Sequence, residues 1–258
     1  MGIINMTPDS FYGASRVAAD AVLRRVEQFL EEGASIIDVG GMSSRPGAEI
    51  ISIQEEERRV LPVIEQIKNT FPKACLSIDT VHSVVAKKAI QAGASIINDI
   101  SAGSIDANMF RTVAELGNVP YILMHIQGLP KTMQQNPVYK DVTLEVLDFL
   151  IGRLGMLRAL EVKDVIIDPG FGFGKTIDQN YALLKRLNVF SVMEVPILVG
   201  ISRKSMIYKL LDITPEEALT ATAALHWKAL DGGASILRVH DVKAAVEVVR
   251  LWQKMQEV

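Results

Sequence analysis

The sequence predicts an α/β fold, a single (β/α)8 TIM barrel formed by residues 1–258, and three observations predict it. Eight short apolar runs each end in a polar or charged residue, at Asn5, Asp38, Asp79, Asn98-Asp99, His125, Asp168, Gly200-Ser202 and Arg238-His240. These runs alternate with segments of helical period, and they lack the apolar–polar alternation of a half-exposed sheet, as parallel strands covered on both faces should. The phrase Gly-Ala-Ser-Ile recurs at Gly33, Gly93 and Gly233, each time after a helical stretch and before a strand. One strand–helix unit is therefore written repeatedly, and eight such units suit a closed barrel better than an open doubly wound sheet. In such a barrel every strand points its carboxyl end at one face, so the polar tips converge on one mouth.

The strands are expected at 3–5, 35–39, 75–79, 95–99, 121–125, 165–168, 197–199 and 236–239. In the first helical segment Ala18, Val22, Val26, Phe29 and Leu30 recur at spacings of three and four, while Arg24, Arg25 and Glu31 fall elsewhere, and Gly33 ends the run. Ser52 with Glu55, Thr176 with Gln179, and Thr214-Pro215 with Glu217 are capping-box patterns, each placed where a barrel helix should begin. The longest irregular stretches, 7–15, 40–53, 127–140 and 170–175, all follow strands and so belong to the functional face.

A length of 258 residues, with 49% hydrophobic and 22% charged residues, is typical of one such barrel. The net charge of −3, with no basic runs, excludes a global field for nucleic acid or an anionic membrane, so affinity for anions must be local. No apolar stretch reaches the roughly 20 residues of a membrane span, and no secretory leader precedes the first strand, which points to the cytoplasm. Cys75 is the only cysteine and is expected as a buried core thiol in a reducing compartment. The abrupt start at Met1 reads as a first strand with a trimmed N-terminus.

The densest anomaly is Asp168-Pro169-Gly170-Phe171-Gly172-Phe173-Gly174-Lys175-Thr176. A Walker loop would need glycine where Pro169 stands, and the dinucleotide fingerprint would need it where Lys175 stands, so neither nucleotide reading holds. The glycines still allow close approach of backbone to a ligand, and Phe171 and Phe173 offer faces for a flat ring. Asp168, at the rim of a largely dry cavity, needs a donor-rich partner, and a planar heterocycle with an amino-amide edge would supply two charge-assisted bonds. Asp38, Asp79 and Asp99 end other strands. Their mutual repulsion would protonate some of them unless cations or donor-rich ligands intervene, and Lys204 and Arg238 are the available cations.

Ser43-Ser44-Arg45-Pro46-Gly47 brings hydroxyls, amides and a guanidinium into one loop. Arg238 and His240 lie two apart on an extended segment and hence on one face, so both can reach the same anion. Asn5, followed by Thr7, Asp9 and Ser10, forms an oxygen-rich cluster compatible with Mg2+ shared with a substrate phosphate. The four histidines show no zinc spacing, and no Gly-x-Ser-x-Gly elbow exists.

Taken together, the strand tips resemble the motifs of the dihydropteroate synthase family. The matching segments are residues 1–11, Asp38-Val39-Gly40-Gly41 with Ser44-Arg45-Pro46-Gly47, Ser77-Ile78-Asp79-Thr80, Asn98-Asp99, Met124-His125 with Gln127-Gly128, residues 168–176, Ser202-Arg203-Lys204-Ser205, and Arg238-Val239-His240-Asp241. The resemblance implies a transferase of folate synthesis that joins 7,8-dihydropterin-6-ylmethyl diphosphate to 4-aminobenzoate and releases diphosphate. It implies a pterin site of Asp79, Asn98, Asp168, Lys204, Phe173 and Met124, and a diphosphate site of Ser44, Arg238 and His240, with Asn5 on Mg2+. Arg45, Pro46, Phe171 and Lys204 would border the aminobenzoate, and Asp79, Lys204 and Arg238 would be catalytic. No strong base is needed if diphosphate leaves first, since a pterin-stabilised cation then meets an aromatic amine. The family also suggests a homodimer through helices expected at 215–231 and 242–254. Two departures stand out: Gly13 replaces an acidic residue common in the first loop, and Ser44 replaces the usual threonine.

Two other functions would use parts of the same site. A barrel passing a methyl group from methyltetrahydrofolate to a corrinoid needs the pterin grip but no anion clamp. A silent pterin-binding scaffold would bind the diphosphate ester and release nothing.

Overall fold

The computed structural model describes residues 1–6, 16–43 and 47–257. Eight strands stand side by side in chain order: β1 (Gly2–Asn5), β2 (Ile37–Gly40), β3 (Leu76–Asp79), β4 (Ile96–Asp99), β5 (Tyr121–Met124), β6 (Val165–Asp168), β7 (Ile197–Val199) and β8 (Ala234–Leu237). All neighbours are parallel. A bridge between Gly2 and Val239 brings the last edge back to the first, with Ile3 N–H donating to the Val239 carbonyl at 3.1 Å and Val239 N–H to that of Met1 at 2.9 Å. The sheet is thereby closed, as the eight repeated units predict.

The helices are α1 (Arg16–Glu31), α2 (Ile53–Thr70), α3 (Ser83–Gln91), α4 (Met109–Leu116), α5 (Val142–Ala159), α6 (Ile177–Lys185), α7 (Ser205–Leu211), α8 (Leu219–Asp231) and α9 (Val242–Gln256). Ser52 caps α2 by accepting from Glu55 N–H, and Thr176 and Gln179 complete a reciprocal box at α6. The third pattern falls differently. Thr214 and Glu217 do exchange bonds, at 2.9 and 3.4 Å, but they close a tight turn at 214–218 whose backbone bonds span three residues. The helix expected from residue 215 therefore starts at Leu219. Gly33, Gly93 and Gly233 have φ of +97°, +114° and +97°, a left-handed conformation that ends the preceding helix without penalising a side chain. Only at Gly233 does the strand follow at once, because a register shift at Ile197/Leu198 lets β8 pair from Ala234 onward.

Strand alternation sorts the side chains into two sets. One set, including Ile4, Ile37, Val39, Leu76, Ile78, Ile97, Leu123, Ile167 and Val199, packs outward against the helices as the main core. The other points into the barrel. Its lowest layer, Ile96, Ile122, Ile166 and Leu198, with Ile36 and Ile236 beside it, plugs the amino-terminal end. Cys75 belongs to this floor and is half-buried there, so the fully buried core thiol expected from its apolar neighbours is corrected; burial still raises its pKa. Two residues further along each inward row, Asp38, Ser77, Asn98, Met124, Asp168, Gly200 and Arg238 form the next layer, so the polar chemistry sits directly on an apolar plug. Among the described residues no helix is long and apolar enough to cross a membrane.

Candidate active site

At the carboxyl end of the barrel, Arg238 is the hub. Its Nε donates to Asp38 Oδ2 at 2.6 Å, and a terminal nitrogen donates to Asp79 Oδ2 at 2.7 Å. Asn98 donates to the same Asp38 oxygen at 3.2 Å. Strands β2, β3 and β4 and the residue that follows β8 are thus joined through side chains. Burial opposes the guanidinium's charge, but the Asp38 and Asp79 carboxylates outweigh it and hold Arg238 protonated. Asp79 is pushed up to about 7, first by burial and further by Asp38, Glu56 and Asp99, with Arg238 acting against them. Asp38 Oδ1 and Ser77 Oγ are buried without a hydrogen-bond partner, which leaves polar capacity facing the cavity layer for a ligand to satisfy.

The 168–176 loop forms the opposite wall. Asp168 Oδ1 accepts from Gly170 N–H at 2.8 Å; burial raises its pKa, opposed by Lys204, the Gly170 amide, Arg238 and Lys175. Gly170 has φ +71°, and a Cβ placed there would lie 1.8 Å from the His125 carbonyl oxygen, so only glycine fits between the tips of β5 and β6. Lys204 donates to the Phe171 carbonyl and stands 4.4 Å from the centre of the Phe173 ring, a cation–π contact. Burial lowers the Lys204 pKa to about 8. Phe173, Met124, Met42, Val81, Ile100, Ile126 and Met133 form an apolar cluster at the mouth, next to the charged layer. A flat ring entering here meets a carboxylate edge-on and aromatic and thioether surface on its faces.

The structure brings together Asp79, Asn98, Asp168, Lys204, Arg238, Phe173 and Met124, as expected. The ring of Phe171, expected beside the aminobenzoate, is instead fully buried in the main core. Alternate side chains of the loop point to opposite sides, so Phe171 offers the mouth its carbonyl and Phe173 alone offers a ring. Asn5 is half-buried at the tip of β1, and since Ile4 faces the helices, Asn5 faces the cavity. His240 follows β8; its N–H donates to Ser202 Oγ at 3.2 Å and its carbonyl accepts from Arg25 at 3.2 Å. Arg203 pairs with Asp241 through two bonds of 2.7 Å, so the Ser-Arg-Lys-Ser and Arg-Val-His-Asp motifs are fastened to each other. Ser44, Arg45, Pro46 and Gly13, with Thr7, Asp9 and Ser10, lie outside the described residues.

Asp99 faces outward. It accepts from Ser101 Oγ and N–H, Gly103 N–H and Tyr121 Oη at 2.6–2.8 Å, which makes it a brace for β4 and β5. Two participants have no site role assigned from the sequence. Asp38 is completely buried at the centre of the ion-pair cluster, and its shared parity with Asp79 and Asp168 on their strands was the available signal. Lys175 is a further cation of this region and, unlike Lys204 and Arg238, is buried, and its position at the end of the glycine-rich run marked it.

The model of the family described as pterin binding enzyme matches residues 1–240. The dihydropteroate synthase of Haemophilus influenzae is 44% identical over 256 residues, covering 98% of this chain and 92% of that protein. Among solved structures, the Yersinia pestis dihydropteroate synthase in a sulfonamide drug complex superimposes with a TM-score of 0.93 at 39% identity, covering 100% of this chain and 94% of the other. The Xanthomonas albilineans dihydropteroate synthase with 4-aminobenzoic acid gives 0.92 at 40% identity, covering 100% and 93%.

Proposed function

The chain belongs to the pterin-binding enzyme family, among the dihydropteroate synthases, and on that premise we infer that it condenses 7,8-dihydropterin-6-ylmethyl diphosphate with 4-aminobenzoate. The products are 7,8-dihydropteroate and diphosphate. The observation that carries this reading is the convergence of Asp38, Asp79, Asn98, Asp168, Lys204 and Arg238 at one end of the barrel. In it Asp168 accepts the amino-amide edge of the pterin, Asp79 and Asn98 meet the other side of the ring, and Met124 and Phe173 cover its faces. Arg238, His240 and Ser44 serve the diphosphate. Arg45, Pro46 and the Lys204–Phe173 stack border the aminobenzoate.

The bond from the exocyclic carbon to oxygen breaks with its electron pair leaving on diphosphate. The arylamine nitrogen then bonds to that carbon and releases a proton. Positive charge near the leaving oxygens and a water-poor, preoriented cavity are what the residues contribute. A magnesium ion fits the donor set in one manner only: Asn5 offers a single neutral amide oxygen, and among the described residues no three His, Cys, Asp or Glu side chains gather as a metal cage. Such an ion would be held mainly by diphosphate and water, as is usual for magnesium, and would neutralise the leaving group's charge. The apolar side chains left exposed on α7, α8 and α9 (Leu210, Leu211, Leu219, Leu251 and Met255) support a homodimer through these helices. The lone Cys75 supports a cytoplasmic setting.

Incubation with both substrates and Mg2+, assayed for dihydropteroate, tests the reading, and folded protein that forms none would sink it. The pH profile is a second check. The Lys204 pKa is depressed to about 8, so the side chain is charged below that pH and loses its proton above it. The expected kcat/KM for the pterin diphosphate therefore falls about tenfold per unit above roughly pH 8. Lys204→Arg, always charged, abolishes that limb in whatever activity it retains; a limb unchanged in this variant would assign it to another group.

A further inference from the structure

We propose that Lys175 is a positioning residue for the pterin half of this site, fastening the 168–176 loop to the tip of β5 and standing as an enclosed ammonium behind Asp168. The inference rests on the reading that Asp168 holds the pterin. Lys175 is 3% exposed, yet its ammonium has a full set of partners: the Gly170 carbonyl at 2.8 Å, His125 Nδ1 at 2.9 Å and the Phe173 carbonyl at 3.2 Å. An ammonium has three donors and no acceptor, so nothing remains for a substrate to take. His125 must then be neutral, with its proton on Nε2. Burial followed by the neighbouring Lys175 holds its pKa well below the usual value, and its ring is packed edge-on against Phe149 at 4.9 Å.

A methionine of similar size would fill this space without the cost of burying a charge, which is large unless the geometry compensates it. The loop has other fasteners on its outer side: Gly172 N–H donates to Asn180 Oδ1 at 2.7 Å, and Tyr139 Oη donates to the Gly174 carbonyl at 2.8 Å. What Lys175 adds lies on the inner side. By gathering the Gly170 and Phe173 carbonyls it turns the Gly170 amide toward Asp168 and the Phe171 carbonyl toward Lys204. The charged groups facing Asp168 are Lys204 from the β7–α7 loop, Arg238 from β8 and Lys175; those facing Lys175 are Asp168 and Lys204, with His125 from the tip of β5. Lys204 and Arg238 border the cavity and can turn to an incoming anion. Lys175 is enclosed and cannot, so it alone stays with Asp168 whatever is bound. Its own pKa is lowered to about 7 by burial, with Asp168 resisting the drop, so its proton and the ionised Asp168 support each other.

The experiment measures calorimetric affinity for 6-hydroxymethylpterin, a pterin without diphosphate, between about pH 5.5 and 8.5 for wild type, Lys175→Met, Lys175→Gln and Lys175→Arg, with KM for both substrates. Removing the charge should weaken pterin binding about tenfold near neutral pH and move its acidic limb upward by more than about half a pH unit, since Asp168 then protonates more readily. KM for the pterin diphosphate should rise, and KM for 4-aminobenzoate should stay within about threefold. Lys175→Arg should keep the limb where wild type has it even if affinity drops. If the methionine variant fails to fold, the glutamine variant, which keeps hydrogen-bond donors, decides the question. Equal weakening at every pH in folded variants, or affinity equal to wild type, would overturn the assignment. Wild-type protein that binds no pterin would instead refute the functional reading beneath it.

Discussion

Asp168→Asn should lower affinity for the pterin by roughly 100- to 1000-fold, about 3–4 kcal/mol, because two charge-assisted bonds are lost together. The residue is buried, and Oδ1 already accepts the Gly170 amide. An asparagine that keeps this bond presents its NH2 to the pterin edge, donor against donor. The isosteric side chain leaves the packing intact, and the desolvation cost that is removed offsets the lost attraction to Lys204 and Lys175, so the thermal midpoint should shift little. Calorimetry with the free pterin, alongside a melting curve, separates the two effects. Near-normal affinity in the variant would remove Asp168 from the pterin site.

Arg238→Ala should strongly destabilise the fold. Removing one partner of a buried ion pair costs about 3–5 kcal/mol, and here two carboxylates lose their common counter-ion. For a chain of this length the melting midpoint should fall by about 10 °C. The sign with pH follows from Asp79, whose pKa stands above its ordinary value even with Arg238 present. An acid raised in the folded state stabilises at low pH and loses that contribution as pH climbs through the folded pKa. The deficit of the variant should therefore be larger near pH 8 than near pH 6. The sequence alone suggests an arginine serving the diphosphate, whose removal would hurt binding of the diphosphate ester far more than binding of free pterin. The ion pairs require a different result: affinity for free pterin falls as well, because Asp79 and Asp38 lose their placement. A deficit confined to the diphosphate ester would mean that Arg238 does not organise the pterin wall.

The strand tips were legible because each strand is a continuous apolar run that a polar residue terminates, and a parallel barrel leaves no choice about which end those residues share. Asp38 was harder to weigh than Asp168. A strand-ending carboxylate reads the same in sequence whether it caps a helix, braces a turn or faces a cavity. Asp99 shows the other outcome, one position beyond Asn98 and hence on the far side of the sheet. The two phenylalanines of the loop posed the same problem, since alternation in an irregular segment carries no fixed parity. Position 173 turned inward and 171 outward only because glycines at 170, 172 and 174 take left-handed turns. Lys175 was concealed by its type, as lysines are seldom buried. The turn before α8 escaped because a capping box marks where amides are satisfied and says nothing about how soon a regular helix follows.

The plug of Ile96, Ile122, Ile166 and Leu198 closes the amino-terminal end of the barrel. On the proposed reading, a pterin that docks against Asp168 would pass the place assigned to the aminobenzoate, and the finished conjugate would leave by the same mouth. The bicyclic ring would on that reading load before the benzoate, and an occupant lodged early at the mouth would block both traffic directions at once.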